Sequence, residues 1–309
     1  VIKYILKRLM YILLALFVIV TATFFLLRLA PGNPFASERN FPPQIEAKLN
    51  ETYGLNNPWY IQYKDYLIDA ATFNFGESMK YKARSTNDMI AEGFPVSLTL
   101  GIEAMLLSIG FGVLIGVIAA LYHNRWPDYL ATTFAVFGIS VPSFILAGLM
   151  QYFLAYKLQL FPISGWKGFS YSMLPALAIA LTHMGFIAKL IRSSMLEQNN
   201  SEYVKMARAK GIGKWTIVFR HTLRNALLPV VTYLGPLTAA VVTGSFIVES
   251  IFAVPGLGKH FVQSITNRDY TVIMGTTVFY AIILLFAVFI VDILYSVIDP
   301  RIRLKGAKK

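Results

Sequence analysis

Apolar residues fall into six long runs separated by polar segments, a pattern that suits a bilayer better than a water-soluble core. Leu9–Leu27 holds nineteen residues without a charge, enough for a helix to cross a membrane. Leu98–Leu121, Tyr129–Tyr156, Met173–Ile191, Val230–Phe252 and Val272–Val291 follow. The pattern predicts an all-α polytopic membrane protein with six transmembrane helices. The first run is longer than the apolar core of a signal peptide and is read as a retained span. Gly112 and Gly116, four apart in the second run, permit close helix approach, and packing within the chain is favoured over a dimer contact. The third run is interrupted by Ile139-Ser140-Val141-Pro142-Ser143-Phe144, where proline frees a carbonyl near mid-membrane and Ser140 or Ser143 could compensate.

The polar segments carry structure of their own. Pro31–Ser97 is too long, at 67 residues, to be a structureless loop. Pro43–Tyr53 reads as a helix stopped by Gly54. Asn57-Pro58 opens a second, with Trp59, Tyr60, Tyr63, Tyr66, Leu67 and Ala70 at helical spacing. A further short helix is expected through His260–Ile265. The chain thus divides into residues 1–30 (tail and first span), 31–97 (an extracytoplasmic subdomain) and 98–309 (a five-helix core with a cytoplasmic loop at 195–228).

Charge orients these spans. Of 28 Lys and Arg, seventeen lie on the proposed cytoplasmic side and ten outside, with Arg28 closing the first span. Short cytoplasmic loops enriched in cations are what the positive-inside rule requires, with both termini cytoplasmic. The long outer segment also carries eight acids. The net charge of +12 therefore reports orientation rather than nucleic-acid binding.

Lys189–Asn225 concentrates eight cations against two anions, too many for a span. Tyr203–Lys210 has helical propensity, with Glu202, Lys205 and Arg208 spaced by threes. Ala207, Ala209 and Gly211 leave little side chain in the way of a docked partner. Gly211 is a natural helix stop, and a second short helix is expected over Trp215–Leu227.

The string Tyr203-Val204, Ala207-Arg208-Ala209-Lys210-Gly211, His221 and Arg224-Asn225-Ala226-Leu227-Leu228-Pro229 resembles the cytoplasmic coupling loop of ABC-importer permeases, closest to the peptide/nickel branch. The general pattern begins Glu-Ala-Ala; here those positions are Lys205, Met206 and Ala207, so only Ala207 and Gly211 match it. LLRLAPGNPF, GISVPSF, GSFIVESIFAVPGLGKHFVQSITNRDY and the closing DPRIR extend the resemblance over most of the chain, most like the first membrane subunit of an oligopeptide or dipeptide transporter. The resemblance implies a type I ABC-importer permease fold in a prokaryotic plasma membrane. It further implies a heterodimer with a second six-span permease, two cytoplasmic ATPases and an extracytoplasmic peptide-binding protein. Glu202, Tyr203, Ala207, Arg208, Ala209, Lys210 and Gly211 would then dock the ATPase. The implied substrate is an oligopeptide, with dipeptides, nickel chelates or another small solute as alternatives.

Chemistry within the chain is sparse. The two Gly-Lys pairs, Gly213-Lys214 and Gly258-Lys259, continue into Trp215 and His260, so there is no phosphate-binding GxxxxGK[S/T] loop. ATP and magnesium are expected in partner subunits, with no cofactor in this chain. Cysteine is absent, and the four histidines make no metal spacing, so neither a metal site nor a catalytic constellation is expected. The acidic groups in or at the ends of spans are Glu103, Glu249 and Asp292, candidates with Ser140 and Pro142 for lining a pathway. His183 is expected to be hydrogen-bonded structure, and Arg28 is the candidate partner of Glu249. An ion-coupled secondary carrier would show inverted repeats and midplane acids, which are not visible. A voltage-gated channel would need a regular arginine ladder within a span, also absent.

Overall fold

The computed structural model describes residues 2–29, 35, 43–81, 83–242 and 246–298, and every described element is helical apart from one isolated bridge between Glu77 and Ser85. Four helices are long and apolar enough to cross a bilayer: α1 (Ile2–Leu29), α4 (Thr86–Leu121), α7 (Phe169–Asn199) and α14 (Tyr270–Ile298). α5 (Trp126–Ser140) and α6 (Ser143–Met150, continued by a π-helical stretch, Gln151–Lys157) make a fifth crossing if taken as one span bent by 107°. The remaining predicted span falls on two shorter pieces, α11 (Leu228–Val242) and α12 (Phe246–Ile251).

α4 and α7 form the centre. A methyl group on Gly112 would come within 2.8 Å of the Ile187 Cβ, and one on Gly116 within 2.6 Å of the Ala188 carbonyl oxygen. The glycine pair therefore serves close packing inside the chain, because only hydrogen fits between the two backbones. α1 is peripheral. Val20 and Phe24 are buried while Leu13, Leu14 and Phe17 stay exposed, as expected for a helix with a wide lipid face.

α4 begins at Thr86, well before the apolar run at Leu98. Ser85 caps it, its hydroxyl accepting from the Asp88 amide at 3.0 Å. The polar first turns belong to a helix continuous with the span, and Pro95 lies inside it.

The predicted outer segments meet one another. α2 (Pro43–Thr52) ends before Gly54, at φ +63°, and α3 (Trp59–Thr72) packs on α1 through the Thr21–Tyr63 hydroxyl contact of 2.7 Å. Asp269, fully buried ahead of α14, accepts from the Ser78 hydroxyl and from the Met79 amide at 3.2 Å. The Gly165 amide donates to the Phe252 carbonyl at 2.8 Å. Arg28 donates to Gln62 and lies 4.7 Å from the centre of the Phe24 ring. It does not pair with Glu249, which is fully buried among other partners.

Candidate functional site

Three places in the fold bear on function: the basic loop after α7, the break between α5 and α6, and the buried carboxylate of α12.

The loop opens with α8 (Glu202–Ala209). Its end is fixed by paired backbone hydrogen bonds, Gly211 to the Arg208 carbonyl at 3.0 Å and Ile212 to the Ala207 carbonyl at 3.2 Å, with Gly211 at φ +71°. This helix-terminating arrangement needs a left-handed residue, and glycine takes that conformation without a Cβ penalty. Val204, Ala207 and Ile217 bury one face. Glu202, Tyr203, Lys205, Met206, Arg208, Ala209, Lys210 and Gly211 stay exposed on the other side and at the end.

Behind α8 runs a helical stretch made of α9 (Lys214–Thr216), a π-helical segment (Ile217–Leu223) and α10 (Arg224–Ala226). Tyr203 holds the two together. Its hydroxyl donates to Gln198 Oε1 at 2.7 Å and accepts from Asn225 Nδ2 at 2.8 Å. Trp215 and Phe219 stack 5.9 Å apart and remain exposed. The expected pair of short helices is thus present, but Ala207, expected in the docking surface, faces inward against Ile217, and α8 offers solvent mainly Glu202, Lys205, Met206, Arg208 and Ala209.

At the break, α5 stops because Pro142 offers no N–H to the Gly138 carbonyl. The turn leaves the carbonyls of Gly138, Ile139 and Ser140 and the amides of Ser143 and Phe144 outside either helical ladder. A cavity of about 370 Å³ opens there, bounded by Ile139, Pro142 and Ser143, by Thr182 and His183 of α7, and by Ala240 of α11. His183 Nδ1 is 2.8 Å from the Tyr233 hydroxyl. Thr182 Oγ1 is buried with no hydrogen-bond partner. Pro142 borders the cavity, whereas Ser140 ends α5 with an exposed side chain.

Glu249 is 0% exposed and sits at the N-terminus of α13 (Leu257–Asn267). One carboxylate oxygen, Oε2, accepts from the Gly258 amide at 2.9 Å, while Oε1 is buried with no hydrogen-bond partner. Ser97, from α4, in turn accepts from the Leu257 amide at 2.9 Å. A carboxylate at a helix start is favoured by its unpaired N–H groups and dipole. Glu249 thereby ties α12 to α13, and Ser97 ties α13 to α4. Glu103 is half-buried on α4, with Oε2 buried and lacking a hydrogen-bond partner. Asp292 lies in α14, but its side chain is outside the described residues. Among the described residues no three His, Asp or Glu side chains gather to hold a metal ion.

Comparison with known proteins bears directly on this arrangement. The model for the binding-protein-dependent transport system inner membrane component matches residues 112–304, and its N-terminal companion matches residues 1–101. The chain belongs to this family. It is a multi-pass permease subunit of the ABC-importer type. Among similar proteins, the Dipeptide transport system permease protein DppB of Bacillus subtilis (strain 168) is 46% identical over 302 residues, covering 98% of each chain. The Oligopeptide transport system permease protein OppB of Haemophilus influenzae is 43% identical, covering 97% of this permease and 99% of that one. The corresponding protein of Escherichia coli (strain K12) is 41% identical with the same coverage. Among solved structures, an inward-facing MetNI methionine ABC transporter superposes with a TM-score of 0.58 over 68% of this permease and 96% of that chain, at 19% identity. That likeness establishes the fold.

Proposed function

We propose that this permease forms half of a membrane pathway for peptides, driven by ATP that partner subunits hydrolyse. The observation that carries this reading is α8: a short exposed helix that presents Glu202, Lys205, Met206, Arg208 and Ala209, terminated by Gly211 and braced through Tyr203, at the cytoplasmic end of the most buried span. Relatives named for dipeptide and oligopeptide transport supply the substrate class. One of two cytoplasmic ATPases grips the exposed face of α8 and its end at Gly211, a second six-span permease completes the pathway and engages the other ATPase, and an extracytoplasmic binding protein delivers the peptide. Oligopeptides are the leading cargo, with dipeptides, nickel chelates or another small solute as the alternative.

Reconstituting the full complex tests the reading. The space beyond Gly211 is empty, since a Cβ there meets no atom within 4 Å. Gly211→Trp therefore projects an indole into the place where a partner docks, while Gly211→Asn keeps the left-handed turn with a small side chain. Gly211→Trp is expected to uncouple ATP hydrolysis from uptake far more than Gly211→Asn. Equal uptake by the two variants would remove the docking surface. Uptake that collapses with a protonophore while ATP stays high would instead indicate a secondary carrier.

A further inference from the structure

The cavity at the α5–α6 break joins features that each need a partner. Three carbonyls and two amides there have left their helices, and Thr182 Oγ1 is buried without a hydrogen bond. His183 spends only one ring nitrogen on Tyr233, which leaves Nε2 for another group. Unpaired polar groups at membrane depth persist only where they border water, protein or a ligand, because each costs several kcal/mol in hydrocarbon. Thr182 and His183 stand at the midpoint of α7, level with the interrupted helix, where irregular backbone is tolerated only beside protein, water or a ligand.

The arrangement is held in place from both sides. A Cβ on Gly138 would lie 2.7 Å from the Leu181 carbonyl oxygen, and one on Gly185 would lie 2.5 Å from that of Ala135. Two glycines, one on each helix, thus lock α5 against α7 immediately beside Thr182. The opening is a fixed feature of the packing rather than slack in a loop.

We propose that this break, with Thr182 and His183, is a contact site for the main chain of the transported peptide. The site offers acceptors from the end of α5, donors from the start of α6, and a hydroxyl and an imidazole that can do either. An extended peptide presents the complementary series, an N–H and a C=O at every residue. Recognition through these groups ignores side-chain identity, which is what a conduit for varied peptides requires. The proposal rests on the peptide reading above.

The test uses the reconstituted complex, with trialanine and its analogue N-methylated at the central amide, both supplied on saturating binding protein. Thr182→Val is expected to slow trialanine uptake about five- to tenfold, the scale of one lost hydrogen bond. It should slow the methylated analogue by much less, because that peptide already lacks the donor. A purely structural role would slow both by the same factor, and that result overturns the site. Because this chain has no cysteine, Thr182→Cys adds a single thiol to it. Peptide delivery during turnover should protect that thiol from a methanethiosulfonate reagent. A thiol that is unreactive with or without peptide means the second permease fills the cavity, and the proposal falls. If the unaltered complex carries no peptide at all, the functional reading fails with it; if it carries peptide and Thr182→Val does not discriminate, only the site fails.

Discussion

Asp128 and Arg192 meet as a fork: Nε of the arginine donates to Oδ1 at 2.5 Å and Nη2 to Oδ2 at 2.8 Å, joining the first turn of α5 to the inner part of α7. Asp128 is 2% exposed and also takes the Asn124 amide at 2.9 Å. Removing one partner of a buried pair leaves an uncompensated charge, which generally costs about 3–5 kcal/mol. Arg192 is 29% exposed, so solvent reduces the penalty, and Asp128→Asn is expected to cost about 2 kcal/mol. A thermal melt of the detergent-solubilised complex reads it. Arg192→Lys, which cannot make both bonds, should fall between the two. A wild-type melting temperature for Asp128→Asn would contradict the assignment.

The glycine seam between α4 and α7 predicts intolerance to any added volume. Gly116→Ala places a methyl 2.6 Å from the Ala188 carbonyl oxygen, and the backbones must part to admit it. Overpacking of this kind costs about 1–3 kcal/mol. The measurement is the fraction of monodisperse protein recovered after mild heating. Gly148→Ala, where a Cβ meets nothing within 4 Å, is the control and should match wild type.

Glu249 predicts a local rather than global effect. Glu249→Leu removes the acceptor for the Gly258 amide at the start of α13, a loss of about 1–2 kcal/mol in helix capping. Hydrogen–deuterium exchange at Gly258 should accelerate, while exchange at Leu257, bonded to Ser97, and in α7 stays unchanged. Protection of the Gly258 amide at the wild-type level would show that another group caps the helix.

His260 gives the outer surface a pH dependence. Burial, then the charges of Arg84 and Lys259, hold its imidazole below the ordinary histidine value, with Glu92 opposing. A base with a depressed folded value contributes stability that is complete above its unfolded value of about 6.5 and is lost as pH falls through the folded value. The complex should therefore melt earlier at pH 5 than at pH 7.5, and His260→Gln should flatten part of that difference. An unchanged slope in His260→Gln would exclude this histidine as a source.

What could be read from the chain was local. Gly54 and Gly211 stop helices where a positive φ was expected, Pro58 precedes α3, and the Pro142 break sits within the interrupted third run. The α8 surface was legible because a basic loop with small residues is contiguous in sequence. The start of α4 was not. Asn87, Asp88, Glu92 and Pro95 look like a loop, yet they continue the helix because Gly93 lets α4 press on the Leu257 backbone, a Cβ there lying 2.8 Å from its nitrogen. Nor could spacing reveal that Arg192 would find Asp128, 64 positions away, or that Thr182 would face the end of α5. A threonine inside an apolar run carries no mark of the cavity it borders.

The hitch between Ser78 and Asp269 governs how the roof of this permease can move. Because the segment around Ser78 is bound to the residue just ahead of α14, it cannot lift as a free flap. Any push on that segment therefore reaches the last membrane helix, and the two move as one lever.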